Sequence, residues 1–320
     1  MSELRWHPFL GEWVGVAAAR QNRPQLPKDW CPFCPGSGHV PDHYDVLLYP
    51  NDFAAFNQQS GPFSPETGPY KETAAKGYCD VVIYHPDHTL LPSQLHADHW
   101  RKIIDLWTSR TEELQKDPDV AQVFIFENTG EAIGVTMPHP HGQIYSFPFI
   151  PPLLQREYDQ ARAHHQRTGE CLYCFVLSVE RDARQRWVAE NEHFFAFVPY
   201  WQRFPGEIQI YSKRHVEALR DLSGVEKNAL SEIIRIVRLK YDNLYGFQLP
   251  LMMIVRQRPA AGDYAFFHFH IELLPLQRSA TKLKYLAGVE TGSGTFLNDT
   301  VADQRAADLR ESEPATTASV

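Results

Sequence analysis

The sequence predicts an α+β chain made of two similar halves whose strands form one largely antiparallel sheet flanked by helices. Three observations carry that prediction. One order of features occurs twice, each half contains a long amphipathic helix set among strand-like runs, and the composition is that of a folded chain. Of the 320 residues, 43% are hydrophobic, 22% charged and 12% aromatic, enough to bury a substantial core. The first half reads Cys31-Pro-Phe-Cys34, an apolar run Val81 to Tyr84, His88, a helix, a strand and His139-Pro-His141. The second reads Cys171-Leu-Tyr-Cys174, a run Ile208 to Tyr211, His215, a helix, a strand and His268-Phe-His270. Such self-similarity is the mark of a duplicated unit.

The helices follow from periodicity. Trp100, Ile103, Ile104, Trp107, Thr111 and Leu114 share one face, as do Leu230, Ile233, Ile234, Val237, Tyr241 and Leu244. Ser223 with Glu226 three residues on is a capping box for the second helix, and Gly246 suits its end. Strands are expected over 122–127, 194–199, 252–256 and 266–274. Each half can pack a short sheet on its own helix, or the two sheets can join edge to edge. The joined arrangement is preferred because it spares both halves an exposed edge. The halves are placed at 1–165 and 166–305, with 151–169, including Arg156, Glu157, Arg162 and His164, as a helical connector. The tail 306–320, rich in Ala, Glu, Ser and Thr, is expected to be disordered.

A formal charge of −8 argues against broad contact with nucleic acid, while local arginines can still hold a phosphorylated ligand. The N-terminal residues lack a signal-like apolar core and no run of 18 apolar residues follows, so a cytoplasmic protein with no membrane partner is expected. In a reducing compartment the two Cys-x-x-Cys pairs read better as metal ligands than as disulfides.

The densest chemistry lies in Asn128-Thr-Gly-Glu-Ala-Ile-Gly134-Val-Thr136-Met-Pro138-His139-Pro140-His141-Gly142-Gln143. Alternation along an extended backbone puts His139, His141 and Gln143 on one face, the prolines restrict the backbone, and Gly142 would let a ligand approach the main chain. A histidine whose one ring nitrogen is held by a fixed acceptor presents the other as a nucleophile toward phosphorus. His141 suits that role, and Gln143 suits donation to a non-bridging phosphate oxygen, where charge accumulates in the transition state. Cys31, Cys34, His88 and His139 make a Cys₂His₂ set of the kind that closes a structural zinc site. The bland alternatives are reduced thiols without a metal and ordinary structural histidines.

The stretch from Glu127 to Gln143 resembles the active-site segment of the galactose-1-phosphate uridylyltransferases, members of the histidine-triad superfamily. The resemblance extends through Pro50-Asn-Asp-Phe-Ala54, Pro86-Asp-His88, Val198-Pro-Tyr-Trp201, Tyr241-Asp-Asn-Leu244 and Arg278-Ser-Ala-Thr281, covering roughly residues 5–290. It implies a duplicated histidine-triad-like fold and a two-step exchange. UDP-glucose uridylylates a histidine, glucose-1-phosphate leaves, and galactose-1-phosphate takes the uridylyl group to give UDP-galactose. Carried over residue by residue, it implies His141 as the uridylylated histidine and Gln143 as the phosphate-binding glutamine, where hydrolytic relatives place a third histidine. Cys31, Cys34, His88 and His139 would be zinc ligands. Asn51, Asp52 and Phe53 would bind uridine; Asn128, Gly134 and Thr136 would flank the phosphates; Arg20 and Arg23 match a basic pair; Lys284 and Glu290 fall where the family contacts the hexose.

Family members are typically homodimers, so Arg20 and Arg23 would reach a partner's ligand. Some members hold another metal through a glutamate, a histidine and a His-x-His pair. Glu157, His268 and His270 match three of those positions, but Arg256 stands at the fourth, and a guanidinium is a poor ligand. The repeat offers a different set, Cys171, Cys174, His215 and His268, as a second zinc site; the alternative is that these are buried thiols and satisfied histidines. A related transferase or phosphorylase using ADP-glucose or another nucleotide would share the nucleophile, and a nucleotide-binding protein without catalysis is the non-enzymatic alternative.

Overall fold

The computed structural model describes residues 2–22, 30–59 and 68–312. Its elements in chain order are β1 (Ser2–His7), β2 (Glu12–Ala17), β3 (Leu47–Pro50), β4 (Glu72–Ala74), β5 (Cys79–Ile83), α1 (Ala97–Leu114), β6 (Gln122–Thr129), β7 (His141–Phe147), α2 (Pro152–Thr168), α3 (Leu172–Ala183) and β8 (Trp187–Glu190). They continue as β9 (Phe194–Phe197), β10 (Ile208–Ser212), α4 (Gly224–Tyr245), β11 (Leu251–Arg256), β12 (His270–Pro275), β13 (Gln277–Ser279), β14 (Lys282–Leu283), α5 (Gly288–Ser293) and α6 (Ala302–Glu311).

Nine strands form one sheet in the order β3-β5-β7-β6-β11-β12-β10-β9-β8, every neighbour antiparallel. The halves join where β6 pairs with β11, Phe126 opposite Ile254, which is the edge-to-edge arrangement expected. β2, β1 and β4 make a separate small sheet, β13 and β14 another.

The sheet's two faces are covered differently. On one, Val82, Tyr84, Ile125 and Ile144 from the first half and Ile210, Ile271, Leu273 and Met253 from the second pack under α1, α4 and α6. This core spans both halves, and Arg238 of α4 reinforces it through a buried ion pair to Glu127 of β6 at 2.7 Å. On the opposite face α2 and α3 cover Phe195, Phe197, Tyr211 and Phe267, while the first half leaves its strand surface to the Cys31 segment and the loop 51–56.

Both periodic helices form as expected. Ser223 and Glu226 make the reciprocal capping box, and Gly246 ends α4 at φ 78°. Residues 152–168 form the connecting helix, stopped by Gly169 at φ 75°. Two expectations fail. The strand expected over 266–274 begins only at His270, because a turn bond from the Phe267 amide to the Tyr264 carbonyl and a bond from the Phe269 amide to Val216 take those residues elsewhere. The expected disordered tail begins as helix α6, which buries Ala302, Ala306 and Leu309 at helical spacing. Two of those three are alanines, too small to register as an apolar stripe. Residues 313–320 of that tail lie outside the described residues. No described helix is long and apolar enough to cross a membrane.

Candidate active site and metal clusters

Cys31 and Cys34 sit on a tight turn in which the Cys34 amide donates to the Cys31 carbonyl. His88 follows β5, and His139 lies just ahead of β7. The four ligand atoms converge: Cys31 Sγ to His139 Nδ1 is 3.5 Å, Cys34 Sγ to His88 Nδ1 3.6 Å, Cys34 Sγ to His139 Nδ1 3.7 Å and His139 Nδ1 to His88 Nδ1 3.3 Å. A tetrahedral ion bound at about 2.0–2.3 Å to nitrogen and sulfur keeps its ligand atoms roughly 3.3–3.8 Å apart, so the donor set fits one. His139 Nε2 donates to the carbonyl of His85 at 2.7 Å, which turns the lone pair of Nδ1 toward the sulfurs. Burial holds His139 neutral, its pKa lowered to about 4, and pushes the Cys31 thiol up to about 12. A bound cation would reverse the effect on the thiol.

The second half builds the same cluster. Cys174 Sγ lies 3.3 Å from both His215 Nδ1 and His268 Nδ1, and the ligand atoms of Cys171, Cys174, His215 and His268 all lie within 4.8 Å of one another. His268 Nε2 donates to the Ser212 carbonyl at 2.9 Å. The hydrogen bond between the two thiols holds Cys171 well below the usual thiol range, with His215 and His268 adding to it, and raises Cys174. The imidazole pairs match as well: His88 and His139 have ring centroids 5.3 Å apart at 72°, His215 and His268 5.1 Å at 76°. Among the described residues, these two are the groups whose donor atoms could hold a metal ion.

The other metal set implied by resemblance does not fit. His268 has both ring nitrogens engaged at the cysteine cluster and at Ser212, and the guanidinium of Arg256 lies 3.8 Å from Glu157.

His141 opens β7, half-buried, and its Nδ1 donates to the carbonyl of His139 at 2.7 Å. The lone pair therefore belongs to Nε2. The ring stands at the junction of two cavities. One, of about 250 Å³, is lined by Gln143, Asn51, Asp52, Phe53, Thr136 and Trp30; the other, of about 600 Å³, by Asn128, Gly130, Glu131, Val135 and Gln248. Gln143, two residues on, shares the face of His141.

The loop at 51–53 is preorganised: Asn51 Oδ1 accepts from the Phe53 amide at 2.9 Å, and Tyr49 donates to Asp52 at 3.0 Å. Arg20 braces it from behind, donating to the Phe53 carbonyl and the Tyr145 hydroxyl, each at 3.2 Å. Gly134 ends a short 3₁₀ turn at φ 83°, a left-handed conformation that favours glycine.

Several expected site residues are placed otherwise. His139 does not converge with His141 and Gln143 on one ligand, because β7 starts at His141 and the buried His139 ring is turned into the metal cluster. Gly142 faces the helices: a Cβ there would stand 2.2 Å from the Tyr84 hydroxyl, so the glycine admits Tyr84 rather than a ligand. Lys284 and Glu290 are paired with each other at 2.8 Å, both buried, and line neither cavity at His141. Arg23 lies outside the described residues. Trp30, Tyr49, Phe33 and Gln248 line the cavities without having been anticipated; Trp30, Phe33 and Gln248 sit in irregular segments where periodicity gives no signal, and Tyr49 lies on the short edge strand β3.

Two family models together match nearly the whole chain: Galactose-1-phosphate uridyl transferase, N-terminal domain, over 1–151, and Galactose-1-phosphate uridyl transferase, C-terminal domain, over 154–318. A galactose-1-phosphate uridylyltransferase of Thermotoga maritima is 39% identical over 317 residues, 98% of this chain and 99% of that protein. The one from Rattus norvegicus is 32% identical, covering 90% of this chain and 82% of its own. A solved uridylyltransferase structure superposes with TM-score 0.91 at 32% identity, over 97% of this chain and 98% of that one. An Arabidopsis thaliana ADP-glucose phosphorylase shares the fold, with TM-score 0.77 at 23% identity over 97% and 98% of the two chains.

Proposed function

Because this chain belongs to the galactose-1-phosphate uridylyltransferase family, we propose that His141 carries the uridylyl group between its two substrates. The chain is an enzyme of galactose metabolism, a nucleotidyltransferase with UDP-glucose–hexose-1-phosphate uridylyltransferase activity. In the first step Nε2 of His141 attacks the α-phosphorus of UDP-glucose, the bond to the β-phosphate oxygen breaks, and glucose-1-phosphate departs. In the second, a phosphate oxygen of galactose-1-phosphate attacks the uridylyl-histidine, the P–N bond breaks, and UDP-galactose forms with the imidazole restored.

The observation that carries this reading is the fixed ring of His141. The bond from Nδ1 to the His139 carbonyl selects the nucleophilic tautomer and supports the positive charge that develops as Nε2 bonds to phosphorus. The smaller cavity, with Asn51, Asp52 and Phe53, is read as the uridine pocket, the larger, with Asn128 and the turn at Gly134, as the phosphate and sugar side. Gln143 donates to the α-phosphate where the two meet. Thr136 borders the same junction, and Arg20 supports the uridine loop.

Both Cys₂His₂ clusters are read as zinc sites. Zinc at Cys31, Cys34, His88 and His139 would tie the N-terminal segment to the strand that presents His141; all four positions are protein ligands, so its chemistry would be structural. We further read the protein as a cytoplasmic homodimer. Exposed Phe175, Tyr200 and Trp201 are the kind of surface a second copy would cover.

Intact-protein mass spectrometry after incubation with UDP-glucose tests the central claim. A uridylyl adduct is expected on the wild type, absent from His141→Ala and discharged by galactose-1-phosphate. An adenylyl adduct formed preferentially from ADP-glucose would keep the nucleophile and overturn the choice of base. Absence of any adduct would sink the covalent mechanism.

A further inference from the structure

The two halves correspond strand for strand around their second histidines. β7 lies between β5 and β6, with Ile83 opposite His141 and Phe126 opposite Gln143; two residues further in that register, Asn128 falls opposite His141. β12 lies between β10 and β11 in the same way, with Tyr211 and Arg256 opposite His270 and Ile254 opposite Glu272. His270 thus takes the place of His141, Glu272 that of Gln143 and Arg256 that of Asn128. The ring is held alike, His270 Nδ1 donating to the His268 carbonyl at 2.9 Å. A cavity of about 530 Å³ opens before it, lined in part by Tyr173, Tyr211, Arg256 and Glu272.

The chemistry in front of this second ring is reversed. Where the register positions beside His141 carry the neutral amides Gln143 and Asn128, those beside His270 carry Glu272 and Arg256, and Nε2 of His270 lies 3.6 Å from Glu157 Oε1 and 3.9 Å from Glu272 Oε1. Arg156 and Arg203 line the wider cavity, but a phosphate at the ring itself would meet two carboxylates. Between them lies Arg256, only 3% exposed, donating to Glu272 Oε2 from Nη2 at 2.7 Å and from Nε at 2.9 Å, with Nη1 3.8 Å from Glu157 Oε2. Tyr211, at the register position that Ile83 holds in the first half, stacks on the His270 ring at 4.7 Å and 2°. Buried charges of this kind persist only when each has its counter-charge.

We propose that Arg256 is a resident cation that closes the duplicate site: its guanidinium neutralises Glu157 and Glu272 in place of any bound ion or ligand. The second half accordingly accepts neither a divalent metal at these residues nor a nucleotide phosphate at His270. Given the reading of His141 above, each chain then has one reacting histidine.

Equilibrium dialysis of the full-length, zinc-loaded protein against Mn²⁺ tests this. Mn²⁺ prefers carboxylate oxygens over the thiolates of the two cysteine clusters, which zinc fills, so it reports on this site separately. The wild type is expected to bind none, whereas Arg256→Gln binds one Mn²⁺ per chain and melts at a higher temperature in its presence. The charge-balanced Arg256→Gln/Glu272→Gln protein is expected to fold and bind none. One Mn²⁺ on the wild type that is lost in Glu157→Gln, or a soluble Arg256→Gln protein that binds none, overturns the proposal.

If Arg256→Gln does not fold, folding of the charge-balanced double variant supports neutralisation as the role of Arg256, and its failure refutes it. Peptide mapping of the uridylylated wild type separates the two readings. Label on His270 overturns the closed site whatever His141 shows, while label on neither histidine removes the His141 mechanism and leaves the Mn²⁺ result to decide.

Discussion

At the residue scale, neighbouring positions of one strand do opposite jobs. His141 and Gln143 face the cavities, and Gly142 between them faces Tyr84. Gln143→Ala should lower kcat about 100-fold, the cost of removing one donor aimed at developing charge, with little change in the KM for UDP-glucose. Steady-state kinetics decide it, and a change in KM alone would make Gln143 a ground-state contact. Gly142→Ala drives a methyl group against the fully buried Tyr84 hydroxyl and should cost about 1–3 kcal/mol by overpacking. Adding Tyr84→Phe removes the nearest atom and should restore part of the lost stability in urea titrations. A glycine needed for ligand approach would instead lose activity while keeping its stability.

At the element scale, helix α4 shows how local signals and packing cooperate. Ser223 and Glu226 close its first turn, and Arg214 binds Glu226 at 2.8 Å. The hydrogen bond from Arg214 is the main reason the Glu226 carboxyl is lowered to about 2, against about 4.3 unperturbed. Because the folded value is the lower one, the stabilisation is complete above the unfolded value and is lost as pH falls from about 4.3 toward about 2. Arg214 is more than half exposed, so its share stays below roughly 1 kcal/mol. Glu226→Gln should therefore be less stable than the wild type at pH 6 and nearly equal to it near pH 2.5, by urea denaturation at both pH values. A gap unchanged between them would assign the effect to the neutral cap alone. The opposite lesson comes from the strand expected at 266–274: its residues have the composition of a strand, but the requirement to place His268 at the cysteine cluster delays the strand to His270.

At the scale of the whole molecule, duplication sets both the architecture and its asymmetry. One core beneath α1, α4 and α6 spans both halves, and the Arg238–Glu127 pair crosses between them, so neither half stands alone energetically. With two clusters, the purified protein should carry two zinc ions per chain, and Cys171→Ser/Cys174→Ser should carry one by elemental analysis; an unchanged content would remove the second site. The sequence by itself determined the repeat, the two long helices, the capping box, the first Cys₂His₂ set and the segment that holds His141, and it offered the second Cys₂His₂ set as one of two readings. Each rests on residue types at fixed spacings, a local property that a linear reading preserves. Only the tertiary structure decided which way Gly142 faces, that Lys284 and Glu290 satisfy each other, that alanines hold α6 in place and that Arg256 sits between Glu157 and Glu272. Those outcomes depend on partners far along the chain, as for Gly142 and Arg256, or on burial against another element, as for α6 and the Lys284–Glu290 pair. Spacing along the chain carries no information about them, because the same residue types in the same order are compatible with either a ligand or a neighbouring side chain as partner.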